Sequence, residues 1–115
     1  MSRSSHSSTL ERRRAQAPVF AALGDETRLA LIVRLSDGEA RSIAQLTQGS
    51  RLTRQAITKH LRMLERARIV HSARAGRESL FELNPEPIGK AREYLDLVSE
   101  QWDQALGRLK ALVEG

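Results

Sequence analysis

TRQAITKHLRMLERAR, residues 53–68, combines an apolar face and a dense cationic face in one run, and its reading decides the fold. At about 100° per residue, Ile57, Leu61 and Leu64 fall within roughly 60° of one another, while Arg54, Gln55, Thr58, Lys59, Arg62 and Arg66 fill a separate arc of roughly 140°. The pattern predicts a helix capped by Thr53 and running to Arg68, before the β-branched pair Ile69-Val70 begins an extended run. One face packs and the other meets something anionic. Residues 51–77 hold eight cations (Arg51, Arg54, Lys59, Arg62, Arg66, Arg68, Arg74, Arg77) against the single acid Glu65, whereas an ordinary solvated face mixes both signs. A helix of this size and chemistry fits a DNA major groove.

Upstream, Ser42 can cap a short helix, IAQLTQ, that ends at Gly49, and only Ser50, Arg51 and Leu52 separate it from Thr53. A short helix, a tight turn and a basic helix predict a helix-turn-helix. Ala44 supplies the small side chain that close helix packing requires. Earlier still, Asp25 caps a helix in which Leu29, Ile32, Val33 and Leu35 recur at helical spacing before Asp37-Gly38 stops it. Before that, Val19, Phe20 and Leu23 form a stripe ending at Gly24, with Pro18 in a first turn or at a kink. Residues 1–10 are Ser-rich with little to bury and are expected to be a disordered tail. Arg12-Arg13-Arg14 follow as a solvated helix end or an arm toward DNA.

Downstream, Val70 to Arg74 and Ser79 to Leu83 predict two strands joined through Ala75-Gly76-Arg77, a hairpin wing presenting Arg74 and Arg77 to phosphates or the minor groove. Asn84 as cap, Pro85 at the first helical position and Glu86 near the positive helix end then start a terminal helix over about 85–113. Along it Ile88, Ala91, Leu95, Val98, Trp102, Ala105, Leu109 and Leu112 alternate by three and four residues. Such a stripe needs a partner helix, either the chain's first helix, a second copy, or both.

The 115 residues, 40% hydrophobic with no break in composition, predict one domain over 11–115. Aromatics make up only 3%, so the core is expected to be aliphatic and a stacking platform for single strands is not expected. A formal charge of +5 and a pI near 10.7 point to an anionic partner. The complete absence of cysteine removes disulfides, thiolate metal sites and thiol nucleophiles. With no membrane-length apolar run and no secretory segment, a cytoplasmic protein without membrane association is expected.

ALGDETRLALIVRLSDGE (22–39), SIAQLT (42–47), LTRQAITKHLRMLERARIV (52–70) and GRESLFEL (76–83) together resemble the ArsR family of winged-helix repressors. The fold implied is mainly α with a small β-hairpin, a winged helix-turn-helix of five helices plus a two-stranded wing. The function implied is a homodimeric transcriptional repressor on a pseudo-palindromic operator in double-stranded DNA. The candidate DNA contacts are Ser42, Arg51, Thr53, Arg54, Gln55, Thr58, Lys59, His60, Arg62, Arg74 and Arg77. The candidate dimer contacts are Phe20, Leu95, Val98, Trp102, Leu106 and Leu109.

The resemblance stops at the sensor. The family's thiolate sites lie near the start of the short helix, where this chain has Ser42 to Leu46, and its terminal-helix sites use histidines, which residues 84–115 lack. The acids Glu93, Asp96, Glu100 and Asp103 form a stripe facing away from the apolar one, and His6, His60 and His71 share no ligand spacing. No metal site and no cofactor are expected, which leaves an organic ligand, a partner protein or the chain's own concentration as the regulator. An enzyme is not expected, since no thiol, no paired histidine and carboxylate and no phosphate loop are present. The competing reading, a winged-helix module binding an acidic protein, differs by lacking salt-dependent, sequence-selective DNA binding.

Overall fold

A computed structural model describes residues 2–114, with side chains from residue 9 onward. The elements run α1 (Ser2–Leu23), α2 (Glu26–Leu35), β1 (Arg41–Ser42), α3 (Ile43–Thr47), α4 (Arg54–Arg66), β2 (Val70–Ala75), β3 (Glu78–Leu83) and α5 (Glu86–Glu114). The described residues form five helices and a small antiparallel sheet of order β1-β3-β2. The expected two-stranded wing therefore has a third strand, with Arg41 opposite Phe81 and Ser42 opposite Leu80. Two residues are too few to show a strand period, so only the pairing reveals β1.

Over the stretch expected as a tail, α1 is helical from Ser2 and runs on through Arg12-Arg13-Arg14. No Gly or Pro interrupts the chain before Pro18, so nothing local stops the helix earlier. Met1, and the side chains of residues 2–8 including His6, lie outside the described residues. Pro18 sits inside α1, exposed, where it removes one helical hydrogen bond without a terminus.

The core is aliphatic, with Leu31, Leu35, Leu46, Ile57, Leu61, Leu64, Ile69 and Val70 around Phe81. Each such side chain contributes about 1.5–3 kcal/mol by leaving water. On α2 the buried face differs from the expected one. Arg28, Leu31 and Leu35 are buried, whereas Leu29 is 47% and Val33 70% exposed. A charged residue inside the buried stripe disguised its true phase.

Thr53 caps α4 as expected, its hydroxyl accepting from the Ala56 amide at 3.1 Å. The helix ends two residues before the expected Arg68. The amides of Arg68 and Ile69 turn back to the carbonyls of Glu65 (2.9 Å) and Leu64 (3.0 Å), with Arg68 itself at φ 63°. This is a Schellman closure in which arginine occupies the left-handed position that glycine usually takes. Asn84 holds the strained residue, donating from Nδ2 to the Arg68 carbonyl at 3.0 Å and from its amide to the Ile69 carbonyl at 2.8 Å. α5 begins at Glu86, and the Pro85 carbonyl accepts its first turn from the Gly89 amide at 3.0 Å. Pro85 is thus the capping residue, one position later than the predicted Asn84.

Candidate nucleic-acid interface

The cationic face of α4 rests on a fully buried backing, with Ile57, Leu61 and Leu64 at or below 1% exposure. That burial fixes the rotation of the helix, so Arg54, Gln55, Lys59 and Arg62 point outward. α3 is set beside it by a capping box, in which the Ser42 hydroxyl accepts from the Gln45 amide at 3.1 Å and Gln45 Oε1 accepts from the Ser42 amide at 2.9 Å. Arg34 of α2 then donates to the carbonyls of Leu46 (3.0 Å) and Gln45 (3.1 Å), binding the C-terminal end of α3 to the body.

The wing is a hairpin in full register from Val70 opposite Leu83 to Ala75 opposite Glu78. Its two-residue turn, Gly76-Arg77, has positive φ at Gly76 alone (66°), the pattern of a type II′ turn. Each strand is one residue longer than predicted, which places Arg77 at the tip and Arg74 one pair below it. Glu65 joins the wing to α4: one carboxylate oxygen accepts from the Ser72 hydroxyl at 2.5 Å and the other from Arg62 Nη1 at 2.8 Å. These two partners, Ser72 foremost, hold the Glu65 carboxyl below the usual carboxylate range. The Arg62 guanidinium also lies 5.4 Å from the centroid of the Phe81 ring.

The result is a groove of about 360 Å³ lined by Ser42, Ile43 and Ala44 of the α3 segment, Arg54, Gln55 and Thr58 of α4, and Arg77, Glu78 and Ser79 of the wing. Helix and wing tip thus share one concave face. Of the candidate contacts, Ser42, Arg54, Gln55, Thr58 and Arg77 line it. Arg51, Thr53, Arg54, Gln55, Lys59, Arg62, Arg74 and Arg77 are exposed. Ser42 is 4% exposed with its hydroxyl engaged in the cap, and Thr58 is half-buried, donating to the Arg54 carbonyl at 2.7 Å.

His60 faces the body. Its Nδ1 lies 3.2 Å from Arg28 Nη1 and 3.7 Å from Asp25 Oδ2. Arg28 is buried and donates through Nε to the Ala22 carbonyl at 2.7 Å, so it closes the end of α1 and abuts α4 at once. The Arg28 amide, in turn, holds the Asp25 carboxyl below its usual range. Sequence reasoning missed Arg28, Arg34, Glu65 and the groove acid Glu78. A charge on the buried phase of α2 was the available sign for Arg28; the others depend on tertiary placement.

Among the candidate dimer residues, Phe20 packs within the chain, its ring centroid 6.3 Å from that of Tyr94 at 54°, and Val98 is half-buried. Leu95, Trp102, Leu106 and Leu109 are exposed, Trp102 at 64% and Leu109 at 58%. Among the described residues, no group of three His, Asp or Glu side chains is gathered as a metal site, and no helix is long and apolar enough to cross a membrane.

A short helix, a tight turn, an outward cationic helix and an adjoining hairpin define a winged helix-turn-helix DNA-binding protein. A helix-turn-helix domain family model matches residues 23–73. The chain is 30% identical over 95 residues to the HTH-type transcriptional regulator Rv2034 of Mycobacterium tuberculosis, covering 83% of this chain and 85% of that one. It is 38% identical over 76 residues to the uncharacterized HTH-type transcriptional regulator YuzN of Bacillus subtilis, covering 61% and 83%. The solved structure of an ArsR-like transcriptional regulator from Rhodococcus sp. RHA1 superposes with a TM-score of 0.75 at 33% identity, over 86% of this chain and 92% of that one. The chain belongs to the ArsR family of winged helix-turn-helix transcriptional regulators. It is a DNA-binding regulator of transcription and not an enzyme.

Proposed function

We infer that the chain is a cytoplasmic repressor that binds a pseudo-palindromic operator as a homodimer. The observation that carries this reading is the pair Arg54 and Gln55, exposed in the first turn of a helix whose backing is fully buried. Arginine matches guanine and glutamine matches adenine in bidentate geometry, so these two side chains read bases while Arg51, Lys59, Arg74 and Arg77 bind phosphates. The apolar stripe of α5, bare at Leu95, Trp102, Leu106 and Leu109, pairs two copies so that their α4 helices enter successive major grooves about 34 Å apart.

The test is selection of a binding site from random duplexes, followed by Arg54→Ala and Gln55→Ala. Each loses about 1–3 kcal/mol on the selected site and much less on random DNA. Equal losses on both would confine the pair to phosphate. Repression then responds to an organic ligand, a protein or the dimer's own concentration, and not to thiophilic metals, since no thiolate exists to bind them. Operator affinity titrated with Zn(II), Cd(II) and As(III) at micromolar free ion, with chelator reversal, stays constant. A reversible tenfold loss would place the sensor among the α5 acids.

A further inference from the structure

α1 and α5 pack together but leave a cleft of about 260 Å³ between them, lined by Arg12 and Gln16 of α1 and Lys90, Glu93 and Tyr94 of α5. The lining follows from spacing. Positions four apart on α1, and three and four apart on α5, each share one helix face. The cleft carries opposite charges on its two walls, Arg12 and Glu93, yet neither takes part in an ion pair among the described residues. Gln16 lines the same cleft, and its side-chain oxygen, Oε1, is buried and accepts no hydrogen bond. A buried amide oxygen without a donor costs about 1–3 kcal/mol, so a group bearing an N–H relieves it. Lys90, 3.2 Å from Glu86, adds a second cation on the Arg12 side of the charge balance.

We propose that this cleft binds an α-amino acid. The carboxylate meets Arg12 and Lys90, the ammonium meets Glu93 and Gln16 Oε1, and the side chain lies against the Tyr94 ring. By rotation, Lys90, Glu93 and Tyr94 centre roughly 140° around α5 from the Leu95, Trp102, Leu106 and Leu109 stripe. A second copy seated on that stripe therefore leaves the cleft open. The inference concerns ligand binding alone and stands apart from the operator reading.

The experiment uses the full chain, ¹⁵N-labelled, titrated with each proteinogenic L-amino acid at millimolar concentration and observed by NMR. At least one gives saturable shifts at the Gln16 side-chain amide and at the Arg12, Lys90 and Tyr94 amides. The matching 2-oxo acid, 2-hydroxy acid and decarboxylated amine each bind about tenfold more weakly or worse, a difference of about 1.4 kcal/mol. Gln16→Met and Glu93→Gln weaken binding by a similar factor with an unchanged thermal midpoint, and the exposed Arg12→Gln serves where Gln16→Met perturbs folding. The proposal is overturned if no amino acid gives saturable shifts, if the shifts fall outside the cleft, or if the 2-oxo or 2-hydroxy acid binds as tightly. A cleft closed by the second copy would produce the first of these results.

Discussion

α4 and α5 carry apolar stripes of similar regularity, yet the chain treats them in opposite ways. On α4 every stripe residue is buried against α2, α3 and the wing. On α5 the cover is full only at Ala91, partial at Ile88, Tyr94, Leu97 and Val98, and from residue 99 every described residue is exposed except the half-buried Ala105. A helix of 29 residues spans about 43 Å, longer than the body beside it can cover. The difference teaches that periodicity reports the need for a neighbour and not where the neighbour comes from. An apolar stripe satisfied inside the chain makes a rigid presenting surface; one left bare makes an association surface.

The largest effect that separates the two helices lies at Trp102. Trp102→Ala removes about 3–5 kcal/mol from dimer association while the thermal midpoint of the isolated protomer barely moves, because the indole is mostly exposed within one chain. Sedimentation of the variant and the parent over the same concentration range checks it. A dimer of unchanged strength would show that the second copy seats elsewhere.

A smaller effect probes the bond between α4 and the wing. The Glu65 carboxyl is more acidic in the folded chain than in the unfolded one, so its stabilisation is complete above the ordinary carboxylate range and disappears as pH falls through its folded-state value. Glu65→Gln therefore lowers the thermal midpoint at neutral pH and narrows its gap to the parent under acid. A constant gap across pH would mean that the carboxylate charge contributes nothing to the junction.

The smallest effect has the opposite sign. Arg68 occupies a left-handed conformation that costs a side-chain residue about 1 kcal/mol, so Arg68→Gly stabilises the protomer by up to that amount. Chemical denaturation measures it. A loss of stability would show that the Arg68 side chain contributes more than its backbone strain removes.

Much of this architecture was legible because its determinants are local. Thr53 and Ser42 are caps recognisable from residue type and position, the three-residue turn after Gly49 fixes the helix pair, and Gly76 marks the hairpin reversal. The cationic arc of α4 follows from rotation alone. What was illegible depends on contacts distant in sequence. β1 exists only because β3 lies beside it. The buried phase of α2 was hidden because Arg28 lies within it, and Leu29 and Val33 are apolar residues left outside. His60 belongs to the cationic run by sequence and to the body by contact, and the groove acid Glu78 joins the interface only through hairpin register.

Arg28 has a consequence for how the molecule breathes. Its guanidinium bonds the carbonyls of Ala22 and Ala21, at 2.7 and 3.4 Å, and lies 3.2 Å from His60 Nδ1 and 3.3 Å from Met63 Sδ on α4. The last turn of α1 cannot fray without uncovering a buried charge, and that charge cannot be released without loosening α4. Local opening at these two places, distant in sequence, is therefore one event with one free energy. Backbone amides at the end of α1 and in the middle of α4 exchange with solvent as a single cooperative unit, while the far end of α5 opens on its own.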